Sequence, residues 1–135
     1  MNIYVMDANA LLASVRGEPG GRIAEGLLAD SSADCIAHSV NLCEVFYNGI
    51  RRADLPTAQQ AIEDLIALGL TERPDMDVDF GQLVGQLKVN PGRISLADCF
   101  ALALAIRTGG TLVTSDHHEF DAVVPLGLCP ILFIR

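Results

Sequence analysis

Four acidic residues stand where a carboxylate is awkward. Asp7 ends the apolar run Ile3-Tyr4-Val5-Met6, and Asp116 closes the segment "TLVTSD". Glu44 and Asp98 lie inside apolar stretches, "NLCEVF" and "ISLADCFALALA". An ionised carboxyl beside a core surface is costly unless it is capped, paired or bound to a cation. Local roles are open to all four. Asp7 suits an N-cap and Asp116 a turn or Asx motif. Glu44 follows Asn41 by three and Asp98 follows Ser95 by three, the spacing of a capping box. If the four converge instead, mutual repulsion forces some to protonate, and a hard divalent cation resolves the conflict. Mg²⁺ suits carboxylates that leave several waters in place, whereas surroundings poor in histidine and thiolate disfavour zinc. A cation held by acids serves phosphoryl chemistry: it activates water, holds a phosphate oxygen and stabilises the leaving oxygen.

Convergence requires elements that carry all four acids to one edge. Residues 3–6 predict a short buried strand, and residues 10–15 a helix that breaks at Gly17-Glu18-Pro19-Gly20-Gly21. A helix over 22–29 and a strand over "DCIAHS" follow. Next come amphipathic helices over "SVNLCEVFYNGIRR" and, after Pro56, "TAQQAIEDLIALGL". A weak strand is predicted at 71–73, a helix at 78–88, a turn at "VNPGR", and a helix over "SLADCFALALAIRTGG" closed by its glycine pair. "TLVTSD" and "PILFIR" read as strands. Five short strands alternating with helices predict an α/β three-layer sandwich, its central sheet mostly parallel and flanked by helices. Sites in such sheets collect at the carboxyl ends of the strands. Asp7 and Asp116 both belong there, and the first turns of the Glu44 and Asp98 helices face the same edge. That placement favours Asp7 as a ligand over Asp7 as a cap.

The bulk properties set bounds. A chain of 135 residues with half of them hydrophobic is expected to be a single domain, residues 1–135. No apolar run reaches the ~20 residues of a membrane span, and the N-terminus has no basic lead-in, so a cytoplasmic protein without a membrane partner is expected. Cys35, Cys43, Cys99 and Cys129 form no C-x-x-C pair and are expected as buried thiols. Seventeen acids against nine bases give a net charge of −8, which opposes an anionic partner unless bound cations cancel it locally.

Four segments together, "YVMDANALLA", "NLCEVF", "ISLADCFALALA" and "LVTSDHHEF", resemble the PIN-domain ribonucleases, and especially the VapC toxins of bacterial toxin–antitoxin pairs. The resemblance runs almost end to end in order and spacing. It implies that Asp7, Glu44, Asp98 and Asp116 form an acidic metal site for Mg²⁺, or Mn²⁺ in its place. Asn9 and Thr114 would orient ligands or water, with a helix cap and a plain strand residue as their alternatives. It further implies an endoribonuclease using a metal-activated water, commonly dimeric and silenced by a cognate antitoxin. Arg51, Arg52, Lys88 and Arg93 are the candidates for RNA phosphate contacts, against a bland role as solvated helix-end charges. His117 and His118 are expected in a loop, His38 as a satisfied and partly buried residue, and Asp121 as a turn residue or an outer contact. Two rival readings stand beside this one. A phosphatase of the haloacid-dehalogenase type would need a second acid where Asn9 stands, and a non-catalytic PIN-like binding module would not need four acids.

Overall fold

The computed structural model describes all residues from Met1 to Arg135. Alternation of side chains along three central strands divides the protein into layers. Val5, Ile36 and Leu112 face one apolar cluster, whereas their neighbours Met6, Cys35, Ala37 and Val113 face another. A strand with a period of two that is apolar on both faces must be covered on both. The strands are β1 (Asn2–Met6), β2 (Ala33–His38), β3 (Thr71–Arg73), β4 (Thr111–Thr114) and β5 (Ile131–Phe133). They form one sheet in the order β3-β2-β1-β4-β5, and every pairing is parallel. The predicted three-layer sandwich is therefore present, with a sheet that is wholly parallel.

Helices α1 (Ala8–Arg16), α2 (Gly21–Ala29) and α4 (Leu55–Leu68) close one face, and α5 (Val78–Val89) and α6 (Leu96–Thr108) close the other. Helix α3 (Ser39–Arg52) begins directly after β2. It contributes Leu42 and Val45 to the first face and Val40 to the second. Eight consecutive residues of α6, Asp98 to Ala105, are buried, as expected of a helix apolar all round. Gly109 ends it in the left-handed region at φ 68°, and Gly110 then passes Ile3 so closely that a Cβ would lie 2.8 Å from its side chain. No helix is long and apolar enough to cross a membrane.

Several sequence expectations change here. Strand β4 stops at Thr114 because the Thr114 hydroxyl accepts the Asp116 N–H at 2.9 Å, which diverts the backbone from the ladder. His117 and His118 consequently open a short helix, α7 (His117–Phe120), and are not loop residues. The Asn41–Glu44 capping box does not form. His38 Nδ1 caps α3 by accepting from Val40 N–H, which moves Glu44 into the second turn. Cys35 and Cys99 are buried, but Cys43 is exposed and Cys129 only partly covered, since both lie at the margins of their apolar faces. His38 is fully buried, with Nε2 donating to the Asp75 carbonyl and its ring stacked on Phe80.

Candidate active site

β1 ends one residue before Asp7, and β4 two residues before Asp116, so both acids emerge at the carboxyl edge of the sheet. Asp7 is completely buried, and its two oxygens have different fates. Oδ1 accepts the Ala10 N–H at 2.8 Å and caps α1, whereas Oδ2 is buried with no hydrogen-bond partner. Cap and candidate ligand are thus one residue, one oxygen for each. Burial pushes the Asp7 pKa up to about 7, with Asp116 and Glu44 adding repulsion; the neighbouring Thr114 hydroxyl and the Ala10 N–H oppose the rise.

Asp98 lies in the first turn of α6, whose cap is Ser95: the Ser95 hydroxyl accepts the Asp98 N–H at 3.2 Å. The other half of the expected capping box comes from elsewhere, because the Ser95 N–H donates to Glu119 Oε1 at 3.2 Å. The Asp98 carboxyl therefore does not take up the Ser95 N–H, although the Ser95 hydroxyl beside it favours its charged form. Burial pushes its pKa up to about 8, and Asp7, Glu119 and Glu44 add repulsion. Glu44 projects from α3 with Oε1 buried and unpartnered, and burial together with Asp116 and Glu119 raises its pKa. The four sequence-predicted acids therefore feel one another's charge in one cluster.

Glu119 is the residue that sequence reasoning missed. One carboxylate oxygen each from Asp98, Asp116 and Glu119 can be chosen so that all lie within 4.8 Å of one another. Two opposite ligands of Mg²⁺ stand about 4.2 Å apart, so these oxygens could share one such cation after closing by a few tenths of an ångström. The signal was present in "DHHE", where an acid follows a capping acid by three, so that Asp116 Oδ1 accepts the Glu119 N–H at 3.0 Å. Asn9 Nδ2 donates to Asp116 Oδ2 at 3.1 Å and fixes its rotation. Asn41, also fully buried, donates to the Ala97 carbonyl at 3.0 Å and ties α3 to α6 beside Asp98.

The four suggested phosphate-binding residues divide between the far end of α3 and the turn before Ser95, whose N–H donates to Glu119 of the cluster. Arg51 and Arg52 occupy the last turn of α3, about 10 Å of helix rise beyond Glu44. Arg51 also lies over the Tyr47 ring. Lys88 donates to the Ile94 carbonyl at 2.8 Å, and Arg93 is exposed on the turn before Ser95. Asp121 accepts from His117 Nδ1 at 2.8 Å.

The PIN domain family model matches residues 4–124, which spans the whole cluster. The chain belongs to the PIN-domain family. Solved structures agree on the fold of this PIN domain. VapBC2 from Rickettsia felis, bound to a DNA fragment from its promoter, superposes with a TM-score of 0.73 at 18% identity, covering 97% of this chain and 98% of that one. DNA-bound VapBC from Salmonella typhimurium gives 0.73 at 17% identity over 100% of both chains. VapC20 from Mycobacterium tuberculosis, described as a sarcin-ricin loop cleaving toxin, gives 0.69 at 17% identity over 90% of this chain and 95% of that one. A comparison with curated protein sequences finds no match.

Proposed function

We propose that this PIN domain is a metal-dependent endoribonuclease, the toxin of a type II toxin–antitoxin pair. The observation that carries the metal site is the state of the buried oxygens. Asp7 Oδ2, with only the Thr114 hydroxyl nearby, and Glu44 Oε1 are buried acceptors that make no hydrogen bond of good geometry, in a cluster with Asp98, Asp116 and Glu119. Orphaned anionic oxygens at such density fit a bound cation better than an empty core. Asp98, Asp116 and Glu119, with Asp7 and Glu44 behind them, are the residues that would hold Mg²⁺ or Mn²⁺. Bound there, the ion would supply Lewis acidity toward a phosphodiester and lower the pKa of water.

The chain's own residues do the rest. Asn9 holds Asp116 in one rotamer, and the Thr114 hydroxyl fixes the backbone that presents it. Asp7 and Asp98, with pKa values near 7 and 8, shed protons as a cation enters, so cation affinity rises with pH. Asn9 donates toward Asp116 and offers no acid where a haloacid-dehalogenase phosphatase needs one.

The toxin reading rests on likeness of fold to VapC chains solved with their antitoxins, and it brings with it an antitoxin partner and a homodimer. The deciding experiment incubates the purified protein with single-stranded and hairpin RNA in Mg²⁺, in EDTA, and as the Asp98→Asn variant. Cleavage in Mg²⁺ alone supports the reading, and cleavage that survives EDTA or Asp98→Asn overturns it. Growth arrest on expression, relieved by a small protein encoded beside it, tests the toxin assignment separately.

A further inference from the structure

On the α1 side of the acid cluster a cavity of about 310 Å³ opens, at the lower end of the range that holds small ligands. Its polar wall is Asn9, Arg16, Glu18, Ser115, Asp116 and Arg135. Asp116 thus belongs both to the acid cluster and to this cavity, and the Asn9–Asp116 hydrogen bond forms the partition between them. Arg16 lies in the last turn of α1. Its Nη2 is buried and has no hydrogen-bond partner, the only cationic nitrogen in the chain in that state. Neither Arg16 nor Arg135 enters an ion pair; the salt bridges of the protein use Arg73, Arg107 and His117. Arg135 is held in place through its main chain, because its carbonyl accepts from His117 Nε2 at 2.8 Å and the His117 ring stacks on Phe133.

A buried guanidinium nitrogen without an acceptor is a cost to the fold, and a planar fork of donors matches a phosphate. Arg16 and Arg135 offset Glu18 and Asp116 in the lining, so the cavity wall carries no net formal charge in a chain of net charge −8. We propose that this cavity binds a backbone phosphate of the RNA neighbouring the one cleaved, with Arg16 as the principal phosphate-binding residue and Arg135 as its second cation. This assignment rests on the nuclease reading for the identity of the anion. It adds a phosphate contact distinct from Arg51 and Arg52 at the far end of α3 and from Lys88 and Arg93 before α6.

The test measures RNA binding apart from cleavage. A fluorescent single-stranded RNA is titrated by anisotropy into Asp98→Asn protein, and into the same protein carrying R16Q, R16K, R135Q or the pair R51Q/R52Q, across a salt series. The expectation is that R16Q weakens binding by about tenfold, the loss of one charge-assisted contact. The slope of affinity against salt should fall by about 0.7, one phosphate of single-stranded RNA. R16K should recover part of the affinity, since it keeps the charge and loses the fork. R135Q changes an exposed side chain and should weaken binding in the same direction, which guards against R16Q merely perturbing α1. Unchanged affinity and slope in R16Q overturn the proposal whatever R135Q does, as does a loss confined to R51Q/R52Q. If the wild-type protein cuts no RNA yet R16Q still weakens binding, the cavity assignment stands and the nuclease reading falls. If wild type cuts RNA and R16Q binds it normally, the reverse holds. A protein that neither binds nor cuts RNA overturns both.

Discussion

Replacing Asp98 by Asn removes a charge that folding forces into the core. The residue is only 7% exposed, and burial raises its pKa from 3.8 to about 8. The native state therefore keeps this proton to higher pH than the unfolded chain does. Between about pH 4 and pH 8 the native state binds more protons, and stability without metal must fall as pH rises. A rise of that size corresponds to about 5 kcal/mol at pH 8. This is a ceiling, because an effective interior dielectric near 20 softens such charges, and about 2 kcal/mol is the working expectation. The assay is urea denaturation in EDTA at pH 5 and pH 8. Metal-free wild type should lose stability between the two, and Asp98→Asn should lose less and be the more stable protein at pH 8. Adding Mg²⁺ should restore wild type at pH 8 in proportion to its occupancy and leave Asp98→Asn nearly unchanged. Wild type equally stable at both pH values in EDTA, or a variant weaker than wild type at pH 8, would refute the reasoning that this carboxyl is strained by burial and its neighbours.

Other outcomes follow from the same geometry. Mg²⁺ affinity measured by calorimetry should increase from pH 6 to pH 8, because Asp7 near 7 and Asp98 near 8 must release protons for the ion to bind. Glu119→Gln should weaken Mg²⁺ binding and slow RNA cleavage by about 10–100-fold while circular dichroism stays native. Asn9→Ala frees Asp116 to rotate and should reduce cleavage by a factor in the same range, about 10–100, with the melting temperature little moved. Leu104→Ala leaves a cavity at a fully buried position of α6 and should cost about 2–5 kcal/mol in urea denaturation at any pH.

Most of the fold could be read from local pattern. Runs such as Tyr4-Val5-Met6 and Thr111-Leu112-Val113 mark strands apolar on both faces, and the glycine pair at 109–110 marks the end of α6. Both signals are carried by a few adjacent residues. The errors fell where a distant or unusual partner overrides the local motif. His38 took the cap expected of Asn41, and Glu119 took the backbone N–H that the Ser95 capping box would have given to Asp98. The Thr114 hydroxyl ended β4 early and turned a loop into α7.

By itself the sequence determined which residue types could do chemistry and how far apart in the chain they lie. Four acids beside apolar runs, in a chain patterned for a parallel sheet, already pointed to a cation and a phosphoryl reaction. Only the tertiary structure decided how each acid is used. Burial and proximity set a carboxyl's pKa, and both arise from contacts between residues as distant as Asp7 and Asp98. The split of Asp7 into a capping oxygen and an unpartnered one, the approach of Glu119 to Asp98 and Asp116, and the lining of one cavity by Arg16, Arg135 and Asp116 are three-dimensional facts. No spacing along the chain encodes them, because a hydrogen bond or a shared charge depends on distance in space.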